Sequence, residues 1–200
     1  MKNSLKIVGF FVLGVVLARY RLLPRFLIEN DLSIYALYAL LILVGLIVGM
    51  DRKSFEVLRR ASWQLLLVPV STAIGTYAGV IAVSFLLKDL KLSEVLAIGS
   101  GFGYYSLSSI LIAELKSKAL GVIALLSNIF REILTLLLTP VFVKYFSPLA
   151  PILSGGATSM DTTLPIITEF SGKEYAVVAI FNGLVLSISV PFLVTFFCGL

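Results

Sequence analysis

The stretch ALGVIALLSNIFREILTLLLTPVFVKYF, residues 119–146, is apolar along most of its 28 residues. A helix that crosses the hydrocarbon core of a bilayer needs about 20 predominantly apolar residues. Outward from this stretch, four further apolar runs are separated by charged or polar segments: Leu5–Arg19, Leu32–Met50, Trp63–Leu87 and Tyr175–Leu200. The first of these is the shortest, and it spans if its terminal basic side chains reach the interface. The sequence therefore predicts an all-α membrane protein with about five full transmembrane helices.

The composition supports the same class. Hydrophobic residues make up 59% of the 200 residues, charged residues 14%, and the mean hydropathy is +1.06. Since about a quarter of the residues in a soluble domain are charged, this chain lacks a water-soluble surface. Its net charge of +5 does not indicate a nucleic-acid partner, because the basic residues flank apolar runs. We expect one polytopic transmembrane domain over residues 1–200, in contact with membrane lipid.

The residue types also exclude most enzyme chemistry. The chain has no histidine and one cysteine, Cys198, so it lacks the usual triads and most metal-binding sets. The glycines of Gly99–Gly103 have no lysine after them, which argues against a phosphate-binding loop. We therefore expect no enzymatic activity, no metal and no cofactor.

The basic residues predict how the chain is oriented. The loop Asp51–Arg60 holds the densest basic cluster, which places it in the cytoplasm by the positive-inside rule. The N-terminus is then inside and the C-terminus outside the cytoplasmic (inner) membrane. The loop Arg19–Asp31 also carries three arginines, and these argue against that orientation.

Two further apolar segments are interrupted by small and polar residues. Leu92–Leu115 contains the run GSGFGYYSLSS, and Ala150–Phe170 contains SGGATSMDTTLP. Non-helical backbone at membrane depth is tolerated only inside protein or along a watery cavity. We predict that both are broken or re-entrant helices, and two re-entrant segments would enter from opposite faces as an inverted repeat. The other interpretation is that the glycines only allow close helix packing, but Asp161 among threonines argues against it.

Paired interrupted segments indicate where a transporter binds its substrate. We predict that Gly155, Gly156 and Asp161 line a water-accessible cavity that faces Gly101–Ser106. Tyr104 lines this cavity or stands in an interfacial aromatic belt. Asp161 binds a substrate ammonium or caps the helix after it. The hydroxyl groups predicted to contact the substrate's carboxylate and amine are those of Ser106, Thr158 and Thr162.

Ionisable residues within a span are costly and indicate function. Asn128 and Glu132 are four residues apart and share one helix face, so Asn128 is predicted to hydrogen-bond Glu132. Glu132 would then hold a cation or a proton. Arg131 is predicted to pair with an acid on another segment, with Asp161 as the candidate. The alternative is a structural ion pair that fixes the helices together. In the last helix, Asn182 and two serines serve either packing or transport.

At these residues the sequence resembles the LysO-type lysine exporters over the entire chain. The resemblance rests on three motifs in the same order: GFGYYSLS at 101–108, REIL at 131–134 followed by Pro140, and GGATSMDTTLP at 155–165. It implies export of L-lysine, with toxic lysine analogues as further substrates, and it implies that Glu132 is an intramembrane acid needed for transport.

Longer members of this family carry further N-terminal spans with another intramembrane acid, and this chain starts after that part. We expect either a separate small membrane subunit that supplies these spans or a chain that works alone as a homo-oligomer. Export of a cation against a negative-inside potential needs an energy source, so we predict proton-coupled alternating access with Glu132 as the shared site. The alternatives are a carrier for another solute, such as an organic anion bound by Arg131, and a non-transporting subunit of a heteromeric carrier.

Overall fold

The computed structural model describes residues 63–87 and 89–200, together with eight isolated positions between 13 and 42. The apolar runs Leu5–Arg19 and Leu32–Met50 and the basic loop Asp51–Arg60 fall outside the continuous described part. The two spans and the N-terminal orientation expected from them therefore stay predictions.

The continuous described part consists of helices and their connections, with no strand. Three helices are long and apolar enough to cross a membrane, and they agree with the predicted spans in this part. The bounds are α1 Trp63–Ser84, α2 Leu92–Gly99, α3 Tyr105–Leu115, α4 Lys118–Tyr145, α5 Ala150–Gly155, a 3-10 turn Gly156–Met160, α6 Leu164–Ser171 and α7 Tyr175–Gly199. The long helices are α1, α4 and α7.

Both glycine-rich segments are interrupted helices, as their composition predicts. The first breaks between α2 and α3, where Phe102 and Gly103 have φ values of 46° and 99°. The second changes from α5 to the 3-10 turn at Gly156, whose φ is 62°. Such positive values end a helix because they reverse the path of the backbone. Each interruption therefore joins two short helices.

The first interrupted segment turns back on itself. Leu90, just before α2, and Leu111, in the second half of α3, pack in one hydrophobic cluster with Cys198 near the end of α7. A two-residue connection then leads into α4, where Gly121 packs against Ala113 of α3. Both ends of the segment thus lie at the end of the molecule marked by Cys198. We call α2, α3 and the break between them the first hairpin.

The second interrupted segment, α5 to α6, occupies the opposite end. Its buried Ile152 and Ile167 form a cluster with Ala179, in the second turn of α7. Val68 near the start of α1 and Tyr175 at the start of α7 pack against this cluster. We call α5, the 3-10 turn and α6 the second hairpin. The two hairpins enter from opposite ends and meet in the interior, between α4 and α7.

Candidate functional site

The tips of the two hairpins are joined by backbone contacts. The amide of Ala157 donates to the carbonyl of Phe102 over 2.8 Å. A Cβ atom at Gly156 would lie 2.2 Å from the same carbonyl oxygen, and one at Gly103 would lie 3.0 Å from the oxygen of Gly155. Both Gly103 and Gly156 also have positive φ values, which side chains disfavour. Glycine is required here because the two backbones meet directly.

A cavity of about 250 Å³ opens beside this junction, and both hairpins contribute to its wall. Five of the residues singled out from the sequence lie along it, whereas the predicted Gly101, Gly155 and Gly156 do not. A Cβ atom at any of these three glycines would lie within 3 Å of a neighbouring atom, so close packing requires glycine there. The cavity is lined by Gly103, Tyr104, Tyr105, Ser106, Ala157, Thr158, Met160, Asp161, Thr162 and Ser187.

Asp161 supplies the negative charge of this cavity. Its Oδ1 atom accepts hydrogen bonds from the backbone N–H and the hydroxyl group of Thr162. The side chain is exposed, so the carboxylate remains accessible from the cavity. Thr158 contributes to the loop shape, because its hydroxyl donates to Gly155 and its carbonyl accepts from the hydroxyl of Thr163. The chain therefore presents a fixed carboxylate within the break of the second hairpin.

Asn128 of α4 holds the first hairpin tip. Its Oδ1 accepts from the N–H of Gly103 over 2.8 Å, and its Nδ2 donates to the carbonyl of Ala124 over 2.8 Å. The two bonds show that Asn128 secures the backbone of the break, where an N–H group would otherwise be buried without an acceptor. The hydrogen bond between its amide and Glu132 that the spacing predicts stays a prediction.

Glu132 lies on the polar, interior face of α4. It is 0% exposed, and it shares this face with the buried Asn128, Thr135 and Thr139. One turn before it, Asn128 binds the first hairpin, and about one turn after it, the Thr135 hydroxyl lies 2.7 Å from that of Ser154 in the second. Glu132 is thus positioned on α4 between its two hairpin contacts, although it does not line the 250 Å³ cavity.

Arg131 does not form the predicted pair with Asp161. Its guanidinium donates to the carbonyls of Leu153 and Ser154, over 3.0 and 2.7 Å, and to the hydroxyl of Thr76 over 3.2 Å. Carbonyls at the C-terminal end of a short helix lack intrahelical partners and carry partial negative charge. Arg131 satisfies them, and none of these three partners is a carboxylate. The prediction of an Arg131–Asp161 pair was therefore wrong.

Asn182 of α7 holds the backbone of the second hairpin, as Asn128 holds that of the first. Its Nδ2 donates to the carbonyls of Gly156 and Ile152, and its Oδ1 accepts from the hydroxyl of Thr72 in α1. From the sequence, either packing or transport was expected of Asn182. A signal was present, since 28 residues separate Ser100 from Asn128 and 28 also separate Ser154 from Asn182.

No group of three or more His, Cys, Asp or Glu side chains within the described residues could hold a metal ion. The site is thus a polar cavity with one carboxylate in its wall and a second, Glu132, buried on the adjoining helix. This arrangement suits binding and release of a small polar solute.

Comparisons with known proteins agree with the motifs. A profile of the family described as lysine exporter LysO matches residues 8–198. The chain is 37% identical to the lysine exporter LysO of Escherichia coli K12 over 98% of its own length and 64% of that protein. It is 33% identical to a putative lysine exporter of Haemophilus influenzae, over 84% of this chain and 85% of the relative. No solved structure matches the chain.

The chain thus spans about two thirds of the length of its Escherichia coli relative. The profile nevertheless covers nearly the whole chain, and the helices that it covers include three that are apolar enough to cross a membrane. The protein is a multi-pass membrane protein, and it belongs to the lysine exporter LysO family.

Proposed function

We propose that this chain exports L-lysine, together with lysine analogues, across the cytoplasmic membrane. The observation that carries the proposal is the cavity where the two hairpin tips meet, with the Asp161 carboxylate in its wall. A carboxylate at membrane depth favours a cationic solute, because few other groups can compensate a positive charge there. The names of the two relatives supply the solute.

The arrangement of the hairpins supports alternating access. They enter from opposite ends, and each tip is held by an asparagine of a long helix, Asn128 or Asn182. Inverted repeats of this kind let a transporter expose one central site to either side in turn. We propose that the two halves form such a repeat and that the tips separate from one another as the cavity changes sides.

Glu132 is the proposed site of proton coupling. A negative-inside potential opposes the exit of a +1 solute by about 2.3 kcal/mol per 100 mV, so export needs an energy source. Glu132 is fully buried beside the helix positions that bind both tips, so a change in its charge would act on both hairpins. A proton that enters as lysine leaves would provide the energy for export.

The organic-anion alternative loses support from the contacts of Arg131. Three of its N–H groups already bind Leu153, Ser154 and Thr76, so its charge serves the helix end. The non-transporting subunit remains the alternative to test. We propose that the chain works in the inner membrane either as a homo-oligomer or with a separate small membrane subunit.

Counterflow of radiolabelled lysine into proteoliposomes tests this function. We expect the purified full chain alone to accumulate label, and we expect Asp161→Asn to reduce accumulation to background. Glu169→Gln is the matched control, since it removes an exposed carboxylate of α6 that lies outside the cavity. An inactive wild-type chain would favour the subunit interpretation, and inhibition by organic anions rather than by lysine would favour the anion carrier.

A further inference from the structure

Ser187 of α7 is a buried hydroxyl group that the fold leaves without a hydrogen bond. It is 3% exposed, its Oγ has no partner among the described residues, and it lines the cavity between the hairpin tips. Three other helical serines, Ser108, Ser109 and Ser189, donate to the carbonyl four residues back. A buried polar group without a partner is costly, so a hydroxyl in this position indicates a ligand.

The start of α3 forms another part of the same wall. Ser106 lies in the first turn of this 11-residue helix and lines the cavity. The N–H groups of a first helical turn have no intrahelical acceptor and carry partial positive charge, which favours anions. Tyr104 at the N-cap position makes no capping hydrogen bond, and the N–H of Tyr105 donates to the carbonyl of Gly103. This wall therefore offers hydrogen-bond donors and a positive electrostatic potential.

Asp161 adds a negatively charged group to the same cavity. Its Oδ1 is bound to Thr162, whereas its Oδ2 has no partner within the described part of the chain. One cavity thus holds an acceptor with full negative charge, together with a helix N-terminus and an unbonded hydroxyl group. This pairing matches the head of a free amino acid, which carries an ammonium and a carboxylate on the same carbon.

We propose that the cavity recognises the α-amino and α-carboxylate groups of a free amino acid. The carboxylate lies between the Ser187 hydroxyl and the N-terminus of α3, and the ammonium lies at Asp161. The inference rests on the proposed function, and it adds that the substrate must have a free carboxylate. Amines that carry the same side chain without the carboxylate are then excluded, since they leave Ser187 and the α3 N–H groups unpaired.

Binding to the purified full chain in detergent tests this subsite, with thermal stabilisation as the readout. Three amino acids are each compared with their decarboxylated amines: lysine with cadaverine, arginine with agmatine, and leucine with isopentylamine. We expect lysine to bind about tenfold or more tightly than cadaverine, as one hydrogen bond to a charged group predicts. Ser187→Ala should weaken lysine binding by a similar factor and leave cadaverine binding unchanged.

Ser189→Ala is the matched control, because it removes a hydroxyl group from the same helix that is bonded to Val185 and lies outside the cavity. It should alter neither affinity. If lysine does not bind, but arginine or leucine binds more tightly than its decarboxylated amine, the proposed subsite is supported and lysine is not the substrate. The subsite itself is overturned if amines bind as tightly as amino acids, if no compound binds, or if Ser187→Ala weakens both classes equally.

Discussion

At the scale of single residues, Gly156 is a position where substitution is expected to be costly. Its φ is 62°, and a Cβ atom there would lie 2.2 Å from the backbone oxygen of Phe102. A left-handed conformation costs a non-glycine residue roughly 1–2 kcal/mol, and a backbone atom cannot move aside as a flexible side chain does. We expect Gly156→Ala to lower the free energy of unfolding by about 2 kcal/mol or more, measured by denaturation in detergent.

The control for this prediction is Gly75→Ala in α1. No described atom lies within 4 Å of a Cβ at Gly75, and its backbone is helical. Alanine is favoured over glycine in a helix by about 1 kcal/mol, so this variant should be neutral or slightly more stable. Equal destabilisation by both substitutions would contradict the direct contact between the hairpin tips.

The two asparagines that hold the tips should respond differently to the same change. Asn182 donates to three oxygens, of Ile152, Gly156 and Ser159, whereas Asn128 accepts from Gly103 and donates to one oxygen. Aspartate keeps the acceptor and loses the donors. We expect Asn182→Asp to cost at least about 2 kcal/mol more than Asn128→Asp, because it sets a buried carboxylate against three acceptors.

Apparent melting temperatures of the two variants in the same detergent provide the test. The expected order is wild type, Asn128→Asp and then Asn182→Asp, from most to least stable. If Asn128→Asp were the less stable of the two, the assignment of the amide groups to donor and acceptor roles would have to be reversed.

Residue types in the sequence identified the polar cavity better than they identified individual contacts. Asp161, Thr158 and Ser106 stood out because polar groups in an apolar segment are rare, and they do line it. The predicted pair of Arg131 with Asp161 was wrong. Charge alone does not reveal that the guanidinium lies beside the unpaired carbonyls at the C-terminal end of a short helix. Ser187 was predicted, like Ser189, to serve either packing or transport, and the sequence could not distinguish the two serines because the missing hydrogen bond of Ser187 is a property of the tertiary structure.

At the scale of elements, the two hairpins determine the topology. Long apolar runs and clustered glycines were enough to predict α1, α4, α7 and two interruptions between them. Hydropathy does not distinguish a segment that crosses from one that turns back, since both are equally apolar. The hydrophobic cluster that contains Leu111 and Cys198, with Leu90 packed against it, resolves this for the first hairpin, because it brings both ends of the hairpin to the same end of α7.

Cysteine accessibility tests that topology. In a Cys198→Ala background, which removes the single native thiol, we expect Asp89→Cys and Ser117→Cys to react with an impermeant reagent from the same side. These positions flank the first hairpin. Ser147→Cys and Lys173→Cys flank the second and should react from the opposite side. Reaction of Asp89→Cys and Ser117→Cys from different sides would mean that residues 92–115 cross the membrane.

At the scale of the whole molecule, two hydrophobic clusters are separated by a polar layer. One surrounds the first hairpin and the second half of α7, and the other surrounds the second hairpin and the first half of α7. The polar groups of Asn128, Glu132 and Asn182 lie between them and are buried. The proposed alternating access requires these polar contacts to break and re-form as the hairpin tips separate.

Glu132 is the part of this layer that can change its charge, and the proposed coupling depends on it. Glutamine preserves the shape of the side chain and mimics the protonated acid, so Glu132→Gln should fold and insert normally. We expect its lysine efflux from proteoliposomes under an imposed pH gradient to fall to background, because glutamine cannot take up and release the coupling proton. Glu114→Gln, which alters an exposed carboxylate at the end of α3, should retain wild-type efflux. Normal efflux by Glu132→Gln with an unchanged melting temperature would make Glu132 a structural residue and would require another site for the coupling proton.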